Sequence, residues 1–579
     1  MAKSPSLRLL LCLALTFALA PALARADPFP LAAGFARELP VVARHGMVVS
    51  QEARASAIGL DILKRGGNAV DAAVAVGFAL AVTLPRAGNL GGGGFMMVHL
   101  AKPHETIAID YRETAPLDTP KNVFLDEAGT FLPALSQEGA LGIGVPGTVA
   151  GLALAHKSYG SGKFSLADLI APAQKLAIEG MVVDETLAES LAGAAKRLGK
   201  YPATKAIFLH LDGSAPQVGD VLVQADLAGT LASIAANGPD AFYHGAIADK
   251  IAAAVQGAGG KMTAQDLADY RAIIREPVRG TYRGHEIVSM PPPSSGGVHV
   301  VQILNLLEGF AIADMGHNTA ATLHVMAESM KLAYADRSKY LGDPDFTHVP
   351  VAGLTSKAYA DDLRKAISQD VARPAKNIAP GNPVPYESDQ TTHFSIIDGD
   401  GNGVANTYTL NFYYGVGLVA AGTGVLLNNE LDDFAAKPGI ANAFGLVGGD
   451  ANAPGPRKRP LSSMSPTLVF QNGELELATG SPGGSRIITT VVQVIMDAID
   501  HRLNAAEAVE SPRIHHQWLP DQLRVERGLS QDTIRLLEAK GHGVVKSETI
   551  GVSETIFRSD GVLMGAADPR QRNALAVGF

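Results

Sequence analysis

The chain has 579 residues, 47% of them hydrophobic and only 18% charged, with a formal net charge of -9 at pH 7. That balance describes a globular protein long enough for several cores and excludes intrinsic disorder. The charges form no long acidic or basic runs, so no footprint for nucleic acid is present, and small neutral or zwitterionic ligands are expected.

Residues 1–26 read as a secretory signal peptide. Lys3 and Arg8 form a basic leader, Leu9 to Ala20 an apolar run, and Ala22-Leu23-Ala24 and Ala24-Arg25-Ala26 offer small-residue cleavage sites. The apolar run is shorter than the roughly 20 residues of a membrane span. A periplasmic or secreted protein with no stable membrane span is therefore expected. Cys12, the single cysteine, lies in this segment, so a mature chain without it has no thiolate nucleophile, disulfide or cysteine-held metal.

From Gln51 to Arg65 the pattern is helical and stops at Gly66-Gly67. Asn68 is the predicted N-cap, with Asp71 in the first turn, of a helix apolar nearly all round and ended by Pro85. Four glycines, Gly91 to Gly94, lack a following Gly-Lys-Ser/Thr, so a phosphate loop is not supported, and they read as a place where two backbones approach closely. The next strand, "ETIAIDYRE", puts Ile107, Ile109 and Tyr111 on one face and leaves Arg112 at its polar end. Residues 140 to 380 read as mostly helical structural packing.

After Pro380 the pattern turns to strands. "DGDGNG", Asp398 to Gly403, has the acidic spacing of a calcium loop, but Thr409 stands where the bidentate glutamate is required. A hairpin turn is the expected role. Period two then places Thr407, Thr409 and Asn411 on one face, and antiparallel pairing returns them towards Thr391 and Thr392. The long segment from Asp432 to Pro460 has neither period and reads as a lid. "LELATGSPGGSRIITTVVQVIMDAID" passes from strand through a Gly-rich turn into a helix.

His515 and His516 are adjacent and point opposite ways in an extended segment, with no "HExxH" nearby, so no metal site is expected. No Gly-x-Ser-x-Gly elbow supports a serine hydrolase. Threonine remains. A hydroxyl needs a base beside it, and an N-terminal threonine supplies its own α-amine, whose reference pKa of about 7.7–8.0 leaves a useful unprotonated fraction. Thr391 reaches that state only if the Gln390–Thr391 bond is cut.

The stretches "DQTTHFS", "NTYTLN", "LLNNELDDF", "RPLSSMSPT" and "GSPGGSRI", with "NLGGGGFM", "DYRE", "GVPG", "PPPSSGG" and "YADRSKYLGDPDF", resemble the γ-glutamyltransferases (γ-glutamyltranspeptidases) among the N-terminal-nucleophile hydrolases. The resemblance implies an α+β fold, a four-layer αββα sandwich built jointly by two subunits from one precursor. Residues 27–390 would form the large subunit and 391–579 the small, catalytic one, paired as a heterodimer. Self-cleavage between Gln390 and Thr391 would free the nucleophile, which then attacks γ-glutamyl amides such as glutathione. Water or the amine of an amino acid or dipeptide takes the acyl group, with no cofactor and no metal.

The same resemblance assigns the donor's α-carboxylate to Arg112, Ser462 and Ser463, and its α-ammonium to Asn411, Glu430 and Asp433. Gly483 and Gly484 would form the oxyanion hole, and Thr409 would orient Thr391. Plainer roles exist for each: an ion pair for Arg112, turns for the serines and glycines. Their joint occurrence in this order favours the site. Arg112→Ala is expected to raise the donor KM far more than it affects folding. Phe444, in the lid, stands where several family members carry tyrosine; it can cover the site by packing but cannot latch it with a hydroxyl. Two alternatives differ in testable ways. A cephalosporin (glutaryl) acylase has no ammonium for Glu430 and Asp433 to bind, and a secreted γ-glutamyl peptide-binding protein would survive uncut.

Overall fold

A computed structural model describes residues 39–383 and 395–579. The expectations for residues 1–26 and for Gln390, Thr391 and Thr392 lie outside the described residues. Residues 40–579 form one unit.

Alternation along the strands decides the layering. In Gly93–Leu100, Met96 and Val98 face a core shared with helices, while Phe95 and Met97 face a core shared with a second sheet. The same split recurs in neighbouring strands. Val48, Ile396 and Val404 face the helices, and Met47, Ile397 and Ala405 face the other sheet. Ile107, Ile109 and Tyr111 share the helix-facing core, as their spacing predicts, with Ala108 opposite.

Two seven-stranded sheets, antiparallel throughout, meet across that inner core. From edge to edge, one runs Leu575–Gly578, Gly46–Ser50, Ser395–Asp398, Gly403–Thr409, Gly93–Leu100, Glu105–Tyr111 and Ile273–Arg275. The other runs Val41–Ala43, Val562–Ala567, Glu554–Ser559, Glu474–Thr479, Thr467–Gln471, His285–Ser289 and Val278–Tyr282. Helices Ala53–Lys64, Ala69–Thr83 and Leu166–Glu179 cover the first sheet, and Gly296–Leu307, Ala320–Tyr340 and Arg486–Ile499 the second. The order of layers is αββα, as expected. Each sheet takes strands from before residue 384 and after residue 394.

The Ala69–Thr83 helix is buried along its whole length. Asn68 accepts from the Asp71 N–H at 2.9 Å while Asp71 accepts from the Asn68 N–H at 3.1 Å, a reciprocal cap worth about 1 kcal/mol. Between Asp398 and Gly403 the chain makes the expected hairpin turn, with Gly401 at φ +89°. The Asp398 carboxylate accepts from the N–H groups of Ala69, Asp400 and Asn402 and from the Asn402 amide, at 2.8–3.0 Å. It ties the turn to the start of a helix 329 positions away.

The reading of residues 140–380 as helical packing needs one correction. Ile273–Arg275, Val278–Tyr282 and His285–Ser289 are strands that complete the edges of both sheets. They are three to five residues long, too short for a period to declare itself among helices.

Candidate active site

A cavity of about 730 Å³ is lined by Arg112, Thr409, Asn411, Glu430, Asp433, Phe444, Ser462, Ser463, Gly483 and Gly484. Every described residue that the sequence nominates for the site therefore meets in one hollow. Gln390 and Thr391 lie outside the described residues.

Arg112 follows directly on the Glu105–Tyr111 strand and is fully buried. The polar end of that strand is thus turned inwards. Its Nη1 donates to Glu430, its Nη2 to Asp433 at 2.7 Å, and its Nε to the Pro460 carbonyl at 3.1 Å. Glu113 lies 3.9 Å from the same guanidinium. Three carboxyl groups thus crowd one cation, and they cannot all ionise. Burial pushes Glu430 up to about 7, and lifts Glu113 well above the carboxylate range, with the Glu430 charge adding to it. Asp433 is also raised by burial, against the pull of Arg112. Burial opposes the Arg112 charge, but Glu430 and Asp433 hold its proton more tightly than in an ordinary arginine. Removing this cation would strand buried carboxylates, at a cost of about 3–5 kcal/mol. That overturns the expectation that Arg112→Ala spares folding.

Ser462 and Ser463 are held by a second segment. Ser462 donates its N–H to Pro293 at 2.8 Å, and its carbonyl accepts from the Ser295 N–H at 2.9 Å and Oγ at 2.7 Å. Arg337, on the Ala320–Tyr340 helix, donates to Ser463 Oγ at 3.0 Å and to Ser295 Oγ at 2.8 Å. Arg337 lies within one of the family-like stretches, but sequence reasoning gives the residue no role. The available signal is a charged residue in a helix whose positions from Ala320 to Arg337 are nearly all buried.

Thr409 ends the Gly403–Thr409 strand, and its Oγ1 accepts from the Asn411 N–H at 2.8 Å. Asn411 adopts φ +70° and donates its amide to the Asn429 carbonyl at 3.0 Å. The strand can lie this close to its neighbour because Gly92 has no side chain: a Cβ there would stand 2.0 Å from the Thr409 carbonyl oxygen. The expectation that the glycine run permits close backbone approach holds.

Gly483 and Gly484 have φ of +134° and +58°, values that favour glycine, just before the Arg486–Ile499 helix. Neither N–H has an acceptor among the described residues. Free N–H donors beside a helix N-terminus favour anions in general. The Phe444 ring packs against Gly484: its Cδ1 lies 2.5 Å from where a Gly484 Cβ would stand. Phe412 meets that ring edge-on with centroids 6.0 Å apart, and Gln517 donates to the Phe444 carbonyl at 3.1 Å. Phe444 is thus held by ring packing and by a hydrogen bond to its backbone carbonyl.

Two other groupings of polar side chains are already satisfied. His324, Glu328 and His542 bring their ligand atoms within 4.8 Å of one another, outside the cavity lining. Lys331 Nζ lies 2.5 Å from Glu328 Oε1 and already supplies the cation, and the two imidazoles share a hydrogen bond of 2.8 Å. The adjacent His515 and His516 are likewise engaged, the first with Thr489 and Gln517, the second with Asp521. In a second hollow of about 800 Å³, Arg283 pairs with Asp500 and His285 with Glu476.

Comparisons with known proteins point the same way as this geometry. The family model described as gamma-glutamyltranspeptidase matches residues 55–578. The glutathione hydrolase proenzyme of Escherichia coli (strain K12) is 54% identical, over 93% of this chain and 93% of its own. The solved cephalosporin acylase of Bacillus halodurans superposes with a TM-score of 0.84 at 30% identity, covering 96% of this chain and 98% of that one. The gamma-glutamyltranspeptidase of Helicobacter pylori superposes with a TM-score of 0.56 at 46% identity, covering 60% of this chain and 96% of that one. This chain belongs to the γ-glutamyltranspeptidase family.

Proposed function

We propose that this protein is a self-processing γ-glutamyltransferase and glutathione hydrolase, exported to the periplasm or secreted, with Thr391 as nucleophile. In maturation the Thr391 hydroxyl attacks the Gln390 carbonyl, the acyl group shifts from nitrogen to oxygen, and water hydrolyses the ester. Gln390 leaves as a carboxylate and Thr391 gains a free α-amine, the base for turnover. The same hydroxyl then attacks a γ-glutamyl amide. The leaving amine takes a proton, and water or an acceptor amine releases glutamate or a new γ-glutamyl compound.

The observation that carries this reading is the mixed charge around Arg112. A γ-glutamyl group presents a carboxylate and an ammonium on one carbon, and Arg112 with Glu430 and Asp433 offers the complementary pair of charges in one buried place. Ser462, Ser463 and Asn411 add neutral donors and acceptors, and the free Gly483 and Gly484 N–H groups would take the oxyanion. Thr409 lines the same cavity as Arg112, Gly483 and Gly484, which supports it as the orienting partner. A glutaryl-type substrate lacks the ammonium and would leave Glu430 and Asp433 uncompensated.

Intact mass and N-terminal sequencing of the purified protein test the proposal, alongside Thr391→Ala. Two chains are expected, the smaller beginning Thr-Thr-His-Phe, with a single uncut and inactive chain from the variant. Two normal chains from Thr391→Ala would remove Thr391 from its role. An uncut native chain that binds γ-glutamyl peptides without turnover would favour the binding-protein alternative.

A further inference from the structure

The lining of the same cavity holds two more arginines, in a different condition from Arg112. Arg486 opens the Arg486–Ile499 helix two residues after Gly484, and Arg524 lies on the Leu523–Glu526 strand. Both line the cavity. Neither side chain has a hydrogen bond or an ion pair among the described residues. The other arginines lining the same space are engaged: Arg86 donates to Gln571 at 2.6 Å, and Arg197 to the Tyr413 and Gly415 carbonyls at 3.0 Å.

The surroundings supply no counter-charge. His515, opposite Arg524 in the register, is neutral, its pKa pushed down to about 3 first by burial. Gln517 and Thr549 are the uncharged neighbours in the lining. Burial, and then the charge of Arg524, weaken the hold of Arg486 on its proton. Two like charges this near, half-buried and unpaired, are unfavourable until an anion joins them. A guanidinium pair suits a carboxylate, with parallel N–H donors for both oxygens.

That carboxylate cannot be the one drawn to Arg112, because the Gly483–Gly484 turn, where the reacting carbonyl would sit, directly precedes Arg486. It must belong to the other side of the scissile amide. We infer that Arg486 and Arg524 form a subsite for the carboxylate of the leaving or accepting amine, so that the enzyme favours amino acids and short peptides with a free C-terminus over neutral amines. The inference rests on the reading of this cavity as a γ-glutamyl site. Hydrogen bonds hold this wall in place, since Gln517 accepts from Ser485 Oγ at 2.8 Å and donates to the Phe444 carbonyl, joining the arginine wall to the lid.

Mature enzyme carrying Arg524→Gln or Arg486→Gln tests the subsite with paired probes. Glutathione has a carboxylate on its leaving group and γ-glutamyl-p-nitroanilide has none; glycylglycine has one as acceptor and glycylglycinamide has none. The expected result is a KM for glutathione and for glycylglycine raised about tenfold, as loss of one charge-assisted hydrogen bond implies. The matched neutral probes should shift at least fivefold less. Arg524→Lys should restore part of the difference. Equal shifts for charged and neutral probes, or native enzyme that does not distinguish glycylglycine from its amide, would overturn the subsite. Absence of turnover with every γ-glutamyl donor in native, correctly cleaved enzyme would instead overturn the parent reading.

Discussion

The cavity lining holds cations under two opposite conditions. On one side Arg112 is fully buried, bonded to Glu430 and Asp433 and close to Glu113. On the other, Arg486 and Arg524 are half-buried, and their side chains are bonded to nothing among the described residues. A closed charge cluster can admit a zwitterion by exchanging partners in kind, since the ligand brings both signs. An open pair can only add a partner. The difference separates recognition of a group with both charges from recognition of a group with one.

The largest expected effect comes from removing a cation on each side in turn. Arg112→Ala should lower stability by about 3–5 kcal/mol, seen as a fall in Tm or in denaturant midpoint, because Glu430 and Asp433 lose their buried partner. Arg524→Gln should leave Tm unchanged or slightly higher, because it relieves repulsion. Similar losses from both would break the contrast. Arg112→Lys keeps the charge but loses the fork, and should remain folded while raising the KM for γ-glutamyl donors.

Gly484→Ala puts a Cβ into the Phe444 ring and onto a φ of +58°. With the Gly484 N–H holding the oxyanion as proposed, displacing it should reduce kcat by about 10²-fold. An unchanged kcat would show that the oxyanion is held elsewhere.

The smallest effect sharpens the electrostatics of the closed wall. Burial lifts Glu430 from an ordinary 4.5 to about 7, so the folded protein keeps a proton that the unfolded chain releases between those values. Its contribution to stability is full below pH 4.5 and falls as pH rises to 7. Glu430→Gln should flatten the decline in Tm across that window and leave the part due to the raised Glu113 and Asp433. A slope as steep as in the native protein would place the shared proton on those two alone.

Much of this is legible in the sequence, and the limit follows from separation along the chain. Asn68 with Asp71, the alternation of Ile107, Ile109 and Tyr111, and the Asp398–Gly403 turn rest on neighbours a few residues apart, and local periodicity reports them. The pairing of Arg112 with Glu430 spans 318 positions. Motifs name both residues, but their mutual neutralisation, and hence the folding cost of losing Arg112, emerges only from the fold. Arg337 is hidden for the same reason, since Ser463 lies 126 positions away. Arg486 and Arg524 escape a reading by motif because an unpaired charge is defined by what does not surround it.

The interleaving of the sheets has a kinetic meaning once the proposed cut is made. Ser395–Asp398, the first described strand beyond the cut, lies between Gly46–Ser50 from the other chain and Gly403–Thr409 from its own. An intact precursor that unfolds can recover by itself at any dilution. A cut enzyme that unfolds must find its other half again, so its recovery becomes a second-order process that fails first in dilute solution. Cleavage therefore makes heat inactivation close to one-way, and the working lifetime of the enzyme becomes a property of its unfolding rate rather than of its equilibrium stability.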